Sequence, residues 1–228
     1  MCRAKALCAV LGDRPEFWST RAPLLAPPWF NAQIDAFAAA VQAAALGDKR
    51  KAVEHLATVK STDLRVWYVE HGQMSGRFRV RGRRLPVPQA ISPSRDAQRS
   101  PDAFAKQLFL RDGHLCRYCG VRVVPKQVLA AFAAVVGVKV FCATGTNEAR
   151  HGVVLAFRAN VDYVVPWKLG GPTNPDNLVT ACWSCNYGKA GYTIEQLGIE
   201  DPRKFGPYLG EWDGLLSSLI GLQKHAAA

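Results

Sequence analysis

No stretch of this 228-residue chain approaches the run of about 20 apolar residues that a membrane-spanning helix needs. The N-terminus begins with a positive charge, but its apolar run, residues 6–11, is short. Charge returns at once and no small-residue cleavage site follows, so a secretory leader is not expected. Internal repeats and low-complexity tracts are also missing, which excludes solenoids and compositional linkers. Acidic side chains are scarce, 18 against 29 lysines and arginines. The resulting formal charge of +11 points to a polyanionic partner, with nucleic acid ahead of a membrane surface. The arginines are not arranged along one amphipathic helix, as a membrane-surface binder would require.

Seven cysteines are present, and four of them fall into two CxxC pairs, Cys116/Cys119 and Cys182/Cys185. Two such knuckles supply the four thiolates of a closed tetrahedral zinc site, whose role is to hold the fold. Cys2, Cys8 and Cys142 are left over with no regular spacing. That pattern fits a reducing, cytoplasmic setting better than a secreted disulfide framework. A thioredoxin-like redox setting for either pair is not seen.

Residues 1–28 are proline-rich and irregular. The spacing of Phe30, Ile34, Phe37, Ala38 and Val41 predicts a helix over 29–46, closed by Gly47. Asp48 caps a second helix to about residue 59, and the two read as an antiparallel hairpin used for packing or dimerisation. Residues 64–69 form a shorter amphipathic turn. Five arginines follow within residues 77–84: Arg77, Arg79, Arg81, Arg83 and Arg84. In an extended conformation the first three share one edge, suited to a phosphate backbone. A charged, solvated edge strand is the plainer alternative. Residues 86–101, rich in proline and polar side chains, mark a boundary. Helices are then expected over 102–111 and 126–136, and a hairpin from strands 153–157 and 161–165. A loop spans GGPTNPDN. A helix is expected from 182 to about 189, a short one at 194–197, and an amphipathic C-terminal helix over 207–224. This gives a helical, arginine-bearing region at 1–100, a zinc-stabilised module at 101–200 and a helical extension at 201–228.

The order C-x2-C, D-x-x-x-P, GG and N-L-V-T-A-C-x-x-C-N-x-x-K is similar to the HNH endonuclease family in its zinc-stapled form. The likeness covers about residues 102–190. It implies an α+β fold, with a treble-clef ββα-metal module between a helical N-terminal region and a C-terminal helix. It also implies a metal-dependent endonuclease acting on DNA, with RNA left open as a substrate. By position, Asp162 is the acidic ligand of a catalytic Mg²⁺ or Mn²⁺, carried on the second strand of the hairpin. Tyr163 stands where the family places its histidine base. Asn177 braces the loop and orients the base, and Asn186 is a ligand or phosphate contact. Lys189, like the five arginines, meets a backbone phosphate. Two-strand cleavage with one centre per chain suggests a homodimer.

The departure is Tyr163. Histidine titrates near neutrality, whereas an ordinary phenol, with a pKa near ~10, is a poor base at pH 7. Three readings follow: a catalytic tyrosine acting as base or nucleophile, a different base such as His151 or His114, or a DNA-binding protein that no longer cleaves.

Overall fold

The computed structural model describes residues 21–22, 25–69, 100–205 and 210–226. The arginine-rich segment with Arg77, Arg79, Arg81, Arg83 and Arg84, most of the 86–101 boundary, and Cys2 and Cys8 lie outside these residues. Among the described residues no helix is long and apolar enough to cross a membrane.

The chain opens with α1 (Phe30–Ala45), α2 (Lys49–Ala57) and α3 (Ser61–Trp67). The apolar spacing read from the sequence works as expected: Phe30, Ile34, Phe37 and Val41 are all buried. Asp48 caps α2 by accepting the Lys51 amide at 2.9 Å, satisfying a donor that the helix itself leaves unpaired. Gly47 turns the chain at φ +85°, a conformation that a side chain would strain. These helices share one continuous core with the rest of the molecule. The Phe30 ring lies edge-on to Trp67 at 4.8 Å and to Phe157 at 5.4 Å. Phe37 stacks on Phe141 and meets Phe132 edge-on.

A 3-10 turn (Pro101–Phe104) leads into α4 (Ala105–Arg111), and α5 (Lys126–Val136) follows the first cysteine pair, ending at Gly137. Then come α6 (Gly152–Phe157), β1 (Ala159–Tyr163), β2 (Leu178–Cys182), α7 (Trp183–Lys189) and α8 (Ile194–Leu197). The two strands form an antiparallel hairpin in which Ala159 faces Cys182 and Tyr163 faces Leu178. The class is α+β.

Two expectations are corrected. Residues 153–157 form a helix, and β1 pairs with 178–182, so Asp162 lies on the first strand of the hairpin. The run Val153–Phe157 is β-branched and apolar, but all six residues of α6 are buried. A short run buried on every side carries no alternation to distinguish strand from helix. Two local features decide for the helix. The His151 ring accepts the Val153 amide as an N-cap, and a Cβ on Gly152 would lie 2.1 Å from the Ser61 carbonyl oxygen. Only glycine lets α3 and α6 approach so closely.

The C-terminal helix also starts later than expected. A 3-10 turn (Leu216–Ser218) precedes α9 (Leu219–Ala226). The Asp213 carboxylate accepts the amides of Leu215 and Ser217, both at 2.7 Å, fixing the start there. Gly214 just before it has φ +72°, and its Cα faces His114 and Pro125 with no room for a side chain.

Candidate functional site

The first cysteine pair sits in a tight turn after α4. The Gly120 amide donates to Cys116 O and the Cys116 amide to Val121 O, each at 2.8 Å, and Gly120 takes φ +75°. This knuckle docks on β2: the Arg117 amide donates to Thr180 O at 2.8 Å, and the Thr180 amide donates to the buried Asp112 carboxylate at 2.8 Å. The second pair straddles the end of β2 and the first turn of α7, where the Cys185 amide donates to Cys182 Sγ at 3.3 Å.

The four sulfurs lie within 4.8 Å of one another, with Cys119 and Cys182 Sγ 3.8 Å apart. A tetrahedron with metal–sulfur bonds of about 2.3 Å has an edge of about 3.8 Å, so the cluster is the right size for a tetrahedral ion. Burial, followed by contact with the other three sulfurs, pushes the Cys185 thiol well above its ordinary value. Four clustered thiols, three of them buried, cannot all ionise without a cation, and a metal held there would supply that charge. Cys142 takes no part; its thiol donates to Thr144 O.

Asp162 lies directly beyond the first knuckle. Its Oδ2 accepts the Tyr118 hydroxyl at 2.7 Å and lies 3.2 Å from Lys189 Nζ. Burial pushes the Asp162 carboxyl above its usual range, against the opposing charge of Lys189 and the hydrogen bonds of Tyr118 and Lys189. Burial, reinforced by the Asp162 charge, also pushes the Tyr118 phenol well above 10, so Tyr118 remains a donor. Tyr118 therefore links the sulfur cluster to the acidic residue. The sequence reading missed it, although one signal was available: a tyrosine enclosed within a cysteine knuckle must find a partner for its hydroxyl.

Lys189 corrects another expectation. It has no exposed surface, and its ammonium group also donates to Tyr163 O at 2.6 Å. Committed to β1 on both counts, it cannot meet a phosphate at the surface.

Asp162, Tyr163 and Asn186 are brought together. They line one open cavity of about 510 Å³, together with Trp167, Lys168 and Tyr187. Asn186 projects from α7 one residue after Cys185, so the sulfur cluster fixes the helix turn that presents it. Lys168 is exposed at the rim, its stem folded over Gly191, where a Cβ would lie 2.6 Å from Lys168 Cε. The sequence reading had not singled out Lys168, and its place becomes visible only once the loop after β1 is folded.

Asn177 stands outside the cavity and shapes its loop. Its Oδ1 accepts the Val165 amide at 2.9 Å, and its Nδ2 donates to Val165 O and Pro172 O, each at 3.0 Å. A Cβ on Gly171 would sit 2.0 Å from Val165 O and 2.8 Å from Asn177 Nδ2, so the asparagine and the paired glycines form one device. The Tyr163 hydroxyl is in hydrogen-bond contact with Thr173 Oγ1 of this loop at 3.1 Å.

Neither alternative base lies at the cavity. His151 caps α6 through Nδ1, packs on Phe141, and is held down to about 4 by burial and by the Arg65 charge. His114 is buried beside Phe109, with its pKa lowered by burial. Among the described residues no histidine lines the cavity.

A two-stranded hairpin, an asparagine-braced loop, and a helix that returns across the strands from a sulfur cluster together define a ββα-type metal module. The family model for HNH endonucleases matches residues 153–190, the segment from α6 through α7 and just beyond. The first cysteine pair lies outside the matched segment and is joined to it in space. No curated protein and no solved structure matches the chain.

Proposed function

We propose that this protein is a metal-dependent endonuclease that hydrolyses DNA phosphodiester bonds, with structural zinc on Cys116, Cys119, Cys182 and Cys185. The observation that carries this reading is the convergence of Asp162, Tyr163 and Asn186 on one open cavity within the segment matched by the nuclease family. Asp162 and Asn186 would hold Mg²⁺ or Mn²⁺. One carboxylate and one amide are a sparse set that suits a hard ion completed by substrate phosphate oxygens and water. Such an ion, when bound, polarises the phosphoryl group and stabilises the departing oxygen.

The chain's own residues do the rest. Lys168 at the rim attracts the phosphate, in the role expected of Lys189. Lys189 instead holds Asp162 and the end of β1 in place. Tyr163, tethered through Thr173, presents its phenol oxygen to the attacking water. Asn177 keeps the loop that carries this tether in shape. Arg77, Arg79, Arg81, Arg83 and Arg84 add the charge that retains the DNA backbone. A cytoplasmic setting suits the free thiols, and a homodimer would allow both strands to be cut.

One observation favours a second reading. Asp162 Oδ2 is already occupied by Tyr118 and Lys189. A carboxylate satisfied in this way has less to offer a metal, and the protein would then bind DNA without cleaving it. Supercoiled plasmid incubated with Mg²⁺ or Mn²⁺ separates the two. Nicking that disappears in Asp162→Asn and Asn186→Ala, with melting temperatures retained, is the expected result. Retarded but uncut plasmid with either ion would establish the binder.

A further inference from the structure

A second cluster stands beside the cavity on α7. Trp183 and Tyr187, one turn apart, stack with ring centroids 5.1 Å apart and planes 16° from parallel. Trp183 is fixed in place, buried and donating Nε1 to the Tyr68 hydroxyl at 2.8 Å. Two guanidinium groups lie over its indole: Arg158, at the end of α6, at 4.4 Å from the ring centroid, and Arg150, from the preceding loop, at 4.8 Å. Arg65 reaches in from α3 and donates Nη2 to Arg150 O at 3.0 Å. Two arginines thus share one aromatic platform, and a third is tied to it through the Arg150 backbone.

Their charges are not answered within the described structure. Among the described residues none of the three has a carboxylate within ion-pair distance. The Nε atoms of Arg65, Arg150 and Arg158 are all buried without a hydrogen-bond partner. Burial first, and then the neighbouring charge of Arg150, pulls Arg158 below the usual guanidinium range, with partial relief from Asp102. Cation–π contact with an indole offsets part of such a cost. It leaves the buried N–H donors unsatisfied and the like charges side by side. A planar fork of N–H donors beside another one is the shape that recognises a phosphate oxygen pair.

We propose that Arg150 and Arg158, held on the Trp183–Tyr187 stack, with Arg65 bound to the Arg150 carbonyl beside them, form the seat for a backbone phosphate of the DNA strand that enters the cavity. Tyr187 belongs to both places: it stacks on Trp183, lines the cavity and is 39 % exposed. The seat therefore continues the cavity along α7 and would set the strand's position relative to Asp162 and Asn186. This rests on the nuclease reading, and it assigns the contact to residues outside the arginine-rich segment and, except for Arg158, outside the segment matched by the family model.

The test is binding of a short fluorescein-labelled DNA duplex, followed by anisotropy without added divalent ion so that cleavage does not intervene. The full chain is compared with Arg150→Gln/Arg158→Gln between about 50 and 200 mM salt. The double variant should bind about tenfold more weakly and lower the slope of log affinity against log salt by about one to two units. A second variant, Arg150→Lys/Arg158→Lys, keeps the charge and the aliphatic stems in case the glutamines unfold the protein. It should keep the slope and bind several-fold more weakly, because the forks are lost. Wild-type binding with unchanged affinity and slope in whichever variant melts like the wild type would overturn the seat and leave the nuclease reading standing. Absence of any salt-dependent DNA affinity in the wild type would overturn both.

Discussion

Two centres stand back to back in this molecule, and they are built in opposite ways. The sulfur cluster is closed: four like ligands from two turns, three of them buried, with a geometry set by backbone hydrogen bonds on either side. The cavity behind it is open, offers two unlike oxygen donors, and has one of them partly engaged by Tyr118 and Lys189. A closed set of ligands leaves no position for substrate and serves the fold. An open one has room for a reacting group, but its donors must be held by something else. Here the closed centre does the holding, through Tyr118 to Asp162 and through Cys185 to the helix turn carrying Asn186.

On that division, loss of a metal held by the closed centre would have the largest effect in the molecule. The apparent binding free energy of a structural zinc is about 10–16 kcal/mol near neutral pH, well above the stability of an ordinary domain. Cys185→Ser, or a strong thiol-competing chelator, should abolish the cooperative melting transition seen by circular dichroism. Retention of a native melting curve without metal would show that hydrophobic packing alone supports the hairpin and α7. The comparison between the centres would then lose its basis.

The next effect is smaller and lies in the contact between the two centres. Lys189→Met leaves Asp162 buried with Tyr118 as its only polar side-chain partner of the pair. Breaking a buried ion pair from one side costs about 3–5 kcal/mol. Lys189→Met/Asp162→Asn removes both charges and should recover much of that loss, since the residual amide can still accept from Tyr118. Denaturant titration of the two variants reads the difference. Equal stability for both would mean that water reaches the pair and that the wall between the centres is not closed.

Much of this arrangement was legible in the chain, for reasons that differ by residue. The four cysteines announce themselves because thiolate geometry restricts how close in sequence each pair must be. Asn177 and the two glycines were legible only through the family resemblance, and the fold supplies the physical reason: a loop returning sharply uses a side chain that both donates and accepts. Helices α1 and α2 follow from apolar spacing and from one capping aspartate. What could not be read depends on partners distant in sequence. Val153–Phe157 satisfies the strand pattern as well as the helix pattern, and the contact of Gly152 with Ser61 O decides between them. Lys189 looks like any exposed basic residue at a helix end until Asp162 and Tyr163 O are found beside it. Arg65, Arg150 and Arg158 are 93 residues apart at their extremes (158 − 65), and only the folded indole under two of them and the Arg150 carbonyl that holds the third make a group.

The smallest effect concerns His151, which from sequence was one of two histidines able to replace Tyr163 as base. Its ring is an N-cap, neutral and half-buried, with its protonation held down to about 4 against an ordinary value of 6.5. The sign follows from proton binding. Between these two values the unfolded chain takes up a proton that the folded chain refuses. Stability contributed by the neutral ring is therefore complete above about 6.5 and is lost as pH falls toward 4. The full shift corresponds to at most about 3 kcal/mol, less where solvent reaches the ring. His151→Asn keeps an acceptor for the Val153 amide and has no proton to gain. It should flatten the acid side of the stability profile, measured by denaturant midpoints across this window, while plasmid nicking at neutral pH stays within a few-fold of wild type. Loss of nicking in a variant that melts like the wild type would move the base out of the open cavity to α6, and the assignment of Tyr163 would have to be given up.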